Sequence, residues 1–382
     1  MSPNGGEDKS FRGISLGKIA GIQINLDFSW FFIFALVLFA LAAGYLPRAF
    51  PGQSTQTYWL AGLIATLFFF ASVMAHELAH SLVAIRQGIE IPEITLFIFG
   101  GVSRLSQEPT DPGTEIKIAA VGPLTSFALA ILFGIFGMIL KGFEPSLIVV
   151  VISYLAWINL ALGIFNLIPG FPLDGGRLLR AFLWWKTGSL TQATKVAADF
   201  GKGFAVALMV LGGLQIFAGA LINGIWLIFI GMFLRGMSIQ GYEELIIRKS
   251  LEGVRVEEVM VREVVTVPPD LTVSQLVHDY FLRYGYRGFP VAENGRVLGV
   301  VAVANVGRVP REVQENRRVT EIMTPMSENL LIDPQASLAE ALTKMSGGEQ
   351  ERLLVFQGDR LAGLVTKTGL MRFVQLKRVL EP

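Results

Sequence analysis

Apolar residues in this chain gather into long unbroken runs, without the periodic polar positions of a half-buried helix or strand. Six runs predict membrane-spanning helices, at about 28–47, 58–85, 116–140, 146–169, 203–220 and 222–240. Each is near the roughly 20 residues that cross a hydrocarbon core. The last two are rich in Gly and separated only by the short turn at Ile222-Asn223-Gly224. Between the second and third runs the pattern changes. Ile91 to Val102 is β-branched and aromatic, interrupted by Gly100 and Gly101, and predicts a strand. Non-helical backbone at membrane depth is tolerated only where protein or a water-filled cavity covers it, so this stretch is a candidate cavity wall.

Beyond residue 240 the runs end. Gly241 to Glu252 is charged and reads as a helical linker, and the remainder has the composition of a soluble domain with an internal repeat. Val256-Glu257-Glu258-Val259-Met260 is echoed by Val319-Thr320-Glu321-Ile322-Met323, and Pro269-Asp270-Leu271-Thr272-Val273 by Pro334-Gln335-Ala336-Ser337-Leu338. Phe289-Pro290-Val291 is echoed by Leu353-Leu354-Val355, and Gly299-Val300-Val301 by Gly363-Leu364-Val365. Hairpin turns are predicted at Glu293-Asn294-Gly295-Arg296 and Gln357-Gly358-Asp359-Arg360. One repeat alone buries too little surface, so the two are expected to pair. The fold expected is an α-helical polytopic membrane protein with a short membrane-associated β element, followed by an α/β tandem module. Its divisions are a polar segment 1–25 without a signal-peptide core, a membrane domain 26–240, a linker 241–252, and repeats 253–312 and 313–382.

Composition agrees: 52% of residues are hydrophobic and only 16% charged, against roughly a quarter charged in a soluble domain. Mean hydropathy is +0.54. The net charge of +1 gives no indication of a nucleic-acid partner, and the absence of Cys removes disulfides and thiolate metal sites. The basic residues are sorted. Arg12, Lys18, Arg86, Arg104, Lys117, Arg177, Arg180, Lys186, Lys195, Lys202, Arg235, Arg248 and Lys249 fall on one side of the six spans, and only Arg48 and Lys141 on the other. The positive-inside bias places both termini in the cytoplasm.

Chemistry enters at the end of the second span, in His76-Glu77-Leu78-Ala79-His80. Residues four apart share a helix face, so the two imidazoles can meet one metal ion. A catalytic zinc site usually has three protein ligands and an open position. The chain's other His, His278, lies in the repeat, so a carboxylate of the membrane domain must be third. Asp27, Glu93, Asp174 and Asp199 lie near an interface. Asp174 is favoured because Asn166-Leu167-Ile168-Pro169-Gly170-Phe171-Pro172-Leu173-Asp174-Gly175-Gly176 ends the fourth span with prolines that stop the helix and glycines that let the backbone approach a metal. The expected zinc ligands are His76, His80 and Asp174, one ion per chain, with Glu77 as general base for the activated water. Two buried His that merely hydrogen-bond in a bundle are the plainer alternative; ionisable groups within membranes are costly and usually functional.

A substrate helix hides its peptide bonds in its own hydrogen bonds, so it must unwind and find new backbone partners. The strand near 94–102, with Gly100 and Gly101, is expected to supply them by β-addition. Asn159 and Asn166, seven apart on the fourth span, either clamp substrate carbonyls or join helices.

HELAH in an early span, with Asn-x-x-Pro-x-x-Pro-Leu-Asp-Gly-Gly in a later one, resembles the site-2 protease family of intramembrane zinc metalloproteases. In that family the residues matching His76, His80 and Asp174 bind zinc and the one matching Glu77 is the catalytic base. Val121-Gly122-Pro123-Leu124 matches the Gly-Pro start of the family's third core span, which usually carries Asn two positions later, where this chain has Ser126. Residues 253–382 resemble a tandem CBS pair, which one subgroup of the family carries. The resemblance implies a prokaryotic cell membrane, regulated intramembrane proteolysis, and single-span substrates such as membrane-tethered regulators, anti-sigma factors or remnant signal peptides. CBS pairs bind adenine nucleotides or dimerise. The ribose-holding Asp of that motif is replaced by Asn305 and Gly369, which weakens the case for a nucleotide and leaves a regulatory or dimerising module. A channel or transporter with regulatory CBS domains is the competing function. It predicts pore charges or repeated halves, and leaves HELAH unexplained. An inactive scaffold would not need the complete His, His, Asp and Glu set.

Overall fold

The computed structural model describes residues 13–103, 108–142, 146–346, 351–358 and 360–380. Arg12, Arg104 and Asp359, used above for orientation and for a turn, lie outside them. The chain divides into two compact units, Met1–Glu244 and Leu245–Pro382.

Among the described residues, six helices are long and apolar enough to span a membrane: α1 Phe28–Ala49, α2 Thr55–Arg86, α3 Pro112–Leu140, α4 Leu147–Asn166, α6 Leu190–Phe217 and α7 Leu221–Leu251. Between α4 and α6 lies α5, Asp174–Thr187, which is amphipathic and too short to span. The starts of these helices are written locally. Asp27, Ser54, Asp111, Ser146 and Ser189 each accept a hydrogen bond from a first-turn N–H of the helix they precede. Gly188, in left-handed backbone, closes α5. The charged stretch read as a linker continues α7 to Leu251.

The sides of the first unit invert those of a soluble protein. Phe32, Phe39, Leu60, Ile131 and Met138 are exposed, while Thr66, Ser72, His76, His80, Ser126 and Asn159 are buried. With lipid outside, apolar exposure costs nothing, and every interior polar group needs a partner.

The β element is larger than the pattern suggested. Strands β1 Gly13–Ile19 and β2 Ile22–Asp27 arise within and just beyond the segment read as polar, and join β3 Glu93–Phe97 and β4 Gly100–Ser103 in the order β1-β2-β3-β4. β2 and β3 are parallel, so α1 and α2 form the crossover between them. Ile22, Ile24, Ile94 and Ile118 pack beneath the sheet. The chain reverses at Ile98-Phe99, so Gly100 and Gly101 belong to β4 and do not break a strand as expected.

In the second unit the repeats form two three-stranded sheets: β5 Gly288–Glu293, β6 Arg296–Ala302 and β7 Thr324–Pro325 in one, β8 Leu331–Ile332, β9 Arg352–Gln357 and β10 Arg360–Thr366 in the other. The repeats exchange edges. β7, which begins the second repeat, pairs with β6 of the first, and Val261 of the first pairs with Leu364 of the second. Val297, Val300, Leu330 and Leu354 form a core shared between them. The expected mutual burial of two insufficient halves is therefore present.

Candidate metal centre

His76 and His80 lie one turn apart on α2 and are both buried. Asp174 is the first residue of α5. The connection before it, residues 167–173, is held from several sides. Phe171 N–H donates to the Ala197 carbonyl, and Ser238 Oγ donates to the carbonyl of Phe171. Beyond Asp174, Arg180 donates through Nε to Glu115 of α3 at 2.6 Å, reaches Glu108 at 3.2 Å, and lies over the Phe171 ring. This buried ion pair, which sequence reading missed, ties α5 to α3 and fixes where α5 begins. Gly175 and Gly176 serve that packing: a Cβ there would strike the backbone at Leu167 and Gly170. They seat the helix start on the preceding loop, which is a different role from bending the chain around a metal.

The result is a triangle. His76 Nε2 to Asp174 Oδ2, His80 Nε2 to Asp174 Oδ2, and His76 Nε2 to His80 Nε2 are each 3.1 Å. Four ligands at tetrahedral zinc stand roughly 3.3 Å apart. The far sides of the rings are held: His80 Nδ1 donates to the Ile118 carbonyl at 2.6 Å, and His76 Nδ1 lies 2.9 Å from Ser126 Oγ. With its proton on Nδ1, His80 turns a bare lone pair toward a carboxylate that is itself only an acceptor. Such convergence suits a cation. Gly122 of α3 faces the same point; a Cβ there would collide with His80 Nε2 and come 2.6 Å from His76 Nε2. The bare backbone keeps space for an ion. These residues fit zinc.

Glu77, His76, His80, Asp174 and Arg177 line one cavity of about 490 Å³ together with β4. Gly100 and Gly101 are on its wall, as is Asn166, whose amide Nδ2 bonds the Leu162 carbonyl. Asn159 is elsewhere: it is buried and donates to Ser72 Oγ and the Leu155 carbonyl, joining α4 to α2. Among the other carboxylates weighed, Asp27 caps α1, Glu93 accepts from Asn25 and Asp199 pairs with Lys202 at the surface. His278 is exposed, with Nδ1 against the Ser274 carbonyl. In the CBS-like unit, Asn305 Oδ1 accepts from Ala302 N–H, and Gly369 N–H donates to Thr366 Oγ1.

Ser126 and Gly122 are further residues whose roles sequence reading missed. Both sit in the Gly-Pro segment of α3, so the motif marked the place without its purpose.

Comparison with known proteins decides the family. The model of peptidase family M50 matches residues 64–210, and the CBS domain model matches 256–308 and 319–376. The protein Rip3 of Mycobacterium tuberculosis is 36% identical over 372 residues, covering 97% of this chain and 94% of its own. The chain belongs to peptidase family M50. Zinc metalloprotease MJ0392 of Methanocaldococcus jannaschii is 30% identical, covering 96% of this chain and 98% of its own. The solved site-2 protease from Methanocaldococcus jannaschii is 32% identical, covering 60% of this chain and 94% of its own at a TM-score of 0.43. This M50 member is thus a zinc metalloprotease of the site-2 protease type, with six helices fit to span a membrane and a tandem CBS region.

Proposed function

We propose that the enzyme hydrolyses a peptide bond within or beside the transmembrane segment of single-span membrane proteins, in regulated intramembrane proteolysis, with one zinc ion held by His76, His80 and Asp174. The observation that carries this reading is the triangle of two imidazole Nε2 atoms and one carboxylate oxygen, all from buried residues and each 3.1 Å from the other two. When bound there, zinc supplies Lewis acidity and makes water a nucleophile near neutral pH. Glu77 takes the proton from the attacking water. As the C–O bond forms and the C–N bond breaks, Glu77 passes a proton to the departing amine nitrogen. Among the described residues β4 is an outer strand of its sheet, so its outer edge can pair with an unwound substrate, along Gly100 and Gly101. Asn166 is placed to hydrogen-bond a substrate carbonyl; Asn159 supports it by holding α4 on α2.

In this reading the protease domain begins with the sheet strands β1 and β2, which the sequence-based bounds of 26–240 leave largely outside, and it runs into α7, whose last turns are the stretch 241–252 read as a linker; CBS repeats 253–312 and 313–382 follow. Basic residue placement puts both termini in the cytoplasm of a prokaryotic cell. Substrates are membrane-tethered regulators, anti-sigma factors or remnant signal peptides. The CBS pair regulates access or joins two copies, with adenine nucleotide bound weakly. The test is metal content and cleavage of a single-span substrate by the full-length protein in liposomes. Wild type should hold one zinc per chain, Asp174→Asn should lose it, and Asp199→Asn should keep it. Equal zinc in Asp174→Asn at limiting metal would exclude the ligand set.

A further inference from the structure

The base and the strand that faces substrate touch. Glu77 is on α2 and β4 is on the sheet, yet Ser103 Oγ, from the last residue of β4, donates to Glu77 Oε2 at 3.2 Å. Ser81, one turn beyond Glu77, completes the contact: its Oγ donates to the Glu77 carbonyl at 2.9 Å and lies 3.1 Å from Ser103 Oγ. Two residues before Ser103, and so on the same face of β4, Gly101 lies flat against the base. A Cβ there would collide with Glu77 Cγ and stand 3.0 Å from Cδ. The side chain of Glu77 is therefore confined between its own helix and this strand, with one carboxylate oxygen held by a hydroxyl of the strand.

We infer that Ser103 is a positioning residue, which locks the Glu77 carboxylate to β4 so that the base and a peptide paired along that strand share one frame. The inference rests on the reading of Glu77 as base. A glutamate has three side-chain torsions, and a free carboxylate in a cavity of this size would sample several orientations. Proton transfer needs the donor and acceptor within hydrogen-bond reach of each other, and misplacement by about 1 Å can cost on the order of a hundredfold in rate. Holding one carboxylate oxygen leaves the other free for the water, at a distance set by the strand that aligns the scissile bond.

The experiment compares full-length wild type, Ser103→Ala, Ser103→Thr, Glu77→Gln and the Ser103→Ala/Glu77→Gln double variant in liposomes. Zinc content and thermal unfolding are measured on each sample. Ser103→Ala should lower kcat about tenfold, a loss of roughly 1.4 kcal/mol of transition-state stabilisation, with KM within twofold and zinc unchanged. Ser103→Thr, which keeps the hydroxyl, should restore most of kcat, and the double variant should be no worse than Glu77→Gln. Unchanged kcat in Ser103→Ala beside an inactive Glu77→Gln overturns the positioning role alone. A raised KM with normal kcat, or failure of Thr to rescue, overturns it in favour of a structural part in β4. Activity retained by Glu77→Gln removes the base assignment on which it depends.

Discussion

Buried polar atoms in the membrane unit converge on one another, whereas the motif positions of the CBS unit turn back on their own backbone. Around His76, His80 and Asp174 the acceptors face a common point, and the surrounding partners, from Ser126 to the backbone at Ile118, hold the outer faces of the rings. In the CBS unit Asn305 closes the N-terminus of its own helical turn, and Gly369 brings no side chain at all. Polar residues in a motif thus signal chemistry only where their hydrogen-bonding capacity is left over for a ligand. In the first region three potential ligand atoms are left facing one point. In the second that capacity is consumed locally.

The contrast breaks most severely at Gly122. Gly122→Ala places a methyl on the two imidazole nitrogens, and metal affinity should fall by more than the roughly 10- to 100-fold that follows loss of a ligand's outer partner. Zinc retention during dialysis against a graded chelator series checks this; normal retention would mean the ion sits elsewhere. Ser126→Ala is the milder version. Removing the hydroxyl beside His76 Nδ1 leaves the ligands in place but frees the ring, and should cost about 10- to 100-fold in metal affinity. An unchanged affinity would reduce Ser126 to packing. The smallest effect belongs to the other region. Asn305→Asp should strengthen ATP binding to the full-length protein by less than about tenfold, the worth of one net hydrogen bond. Calorimetry decides it, and tight binding by wild type would erase the distinction drawn here.

Much of this is legible in the sequence because it is local. HELAH sets two imidazoles on one helix face with a carboxylate beside them, which are the proposed ligands and base; six apolar runs mark the spans, and the echoed blocks of 256–260 and 319–323 mark the repeat. Asp174 follows by elimination, since few metal ligands exist in the chain. What escapes depends on contacts far apart in sequence. The parallel pairing of β2 with β3 joins Gln23 to Glu93, and nothing in the polar segment near residue 20 announces it. The Glu115–Arg180 pair hides in two ordinary helical turns. Ser103 reads as one more polar residue after a glycine pair until Glu77 is placed beside it. Asn159 and Asn166 share a helical face by spacing, yet only Asn166 reaches the cavity.

In the proposed mechanism, metal binding and proton transfer are carried by different residues of one cavity. Glu77→Gln tests it most directly, because Gln fills the same space without accepting the water's proton. The variant should retain one zinc per chain while single-turnover cleavage of a membrane-embedded substrate disappears. Cleavage near the wild-type rate, with zinc bound, would contradict the account.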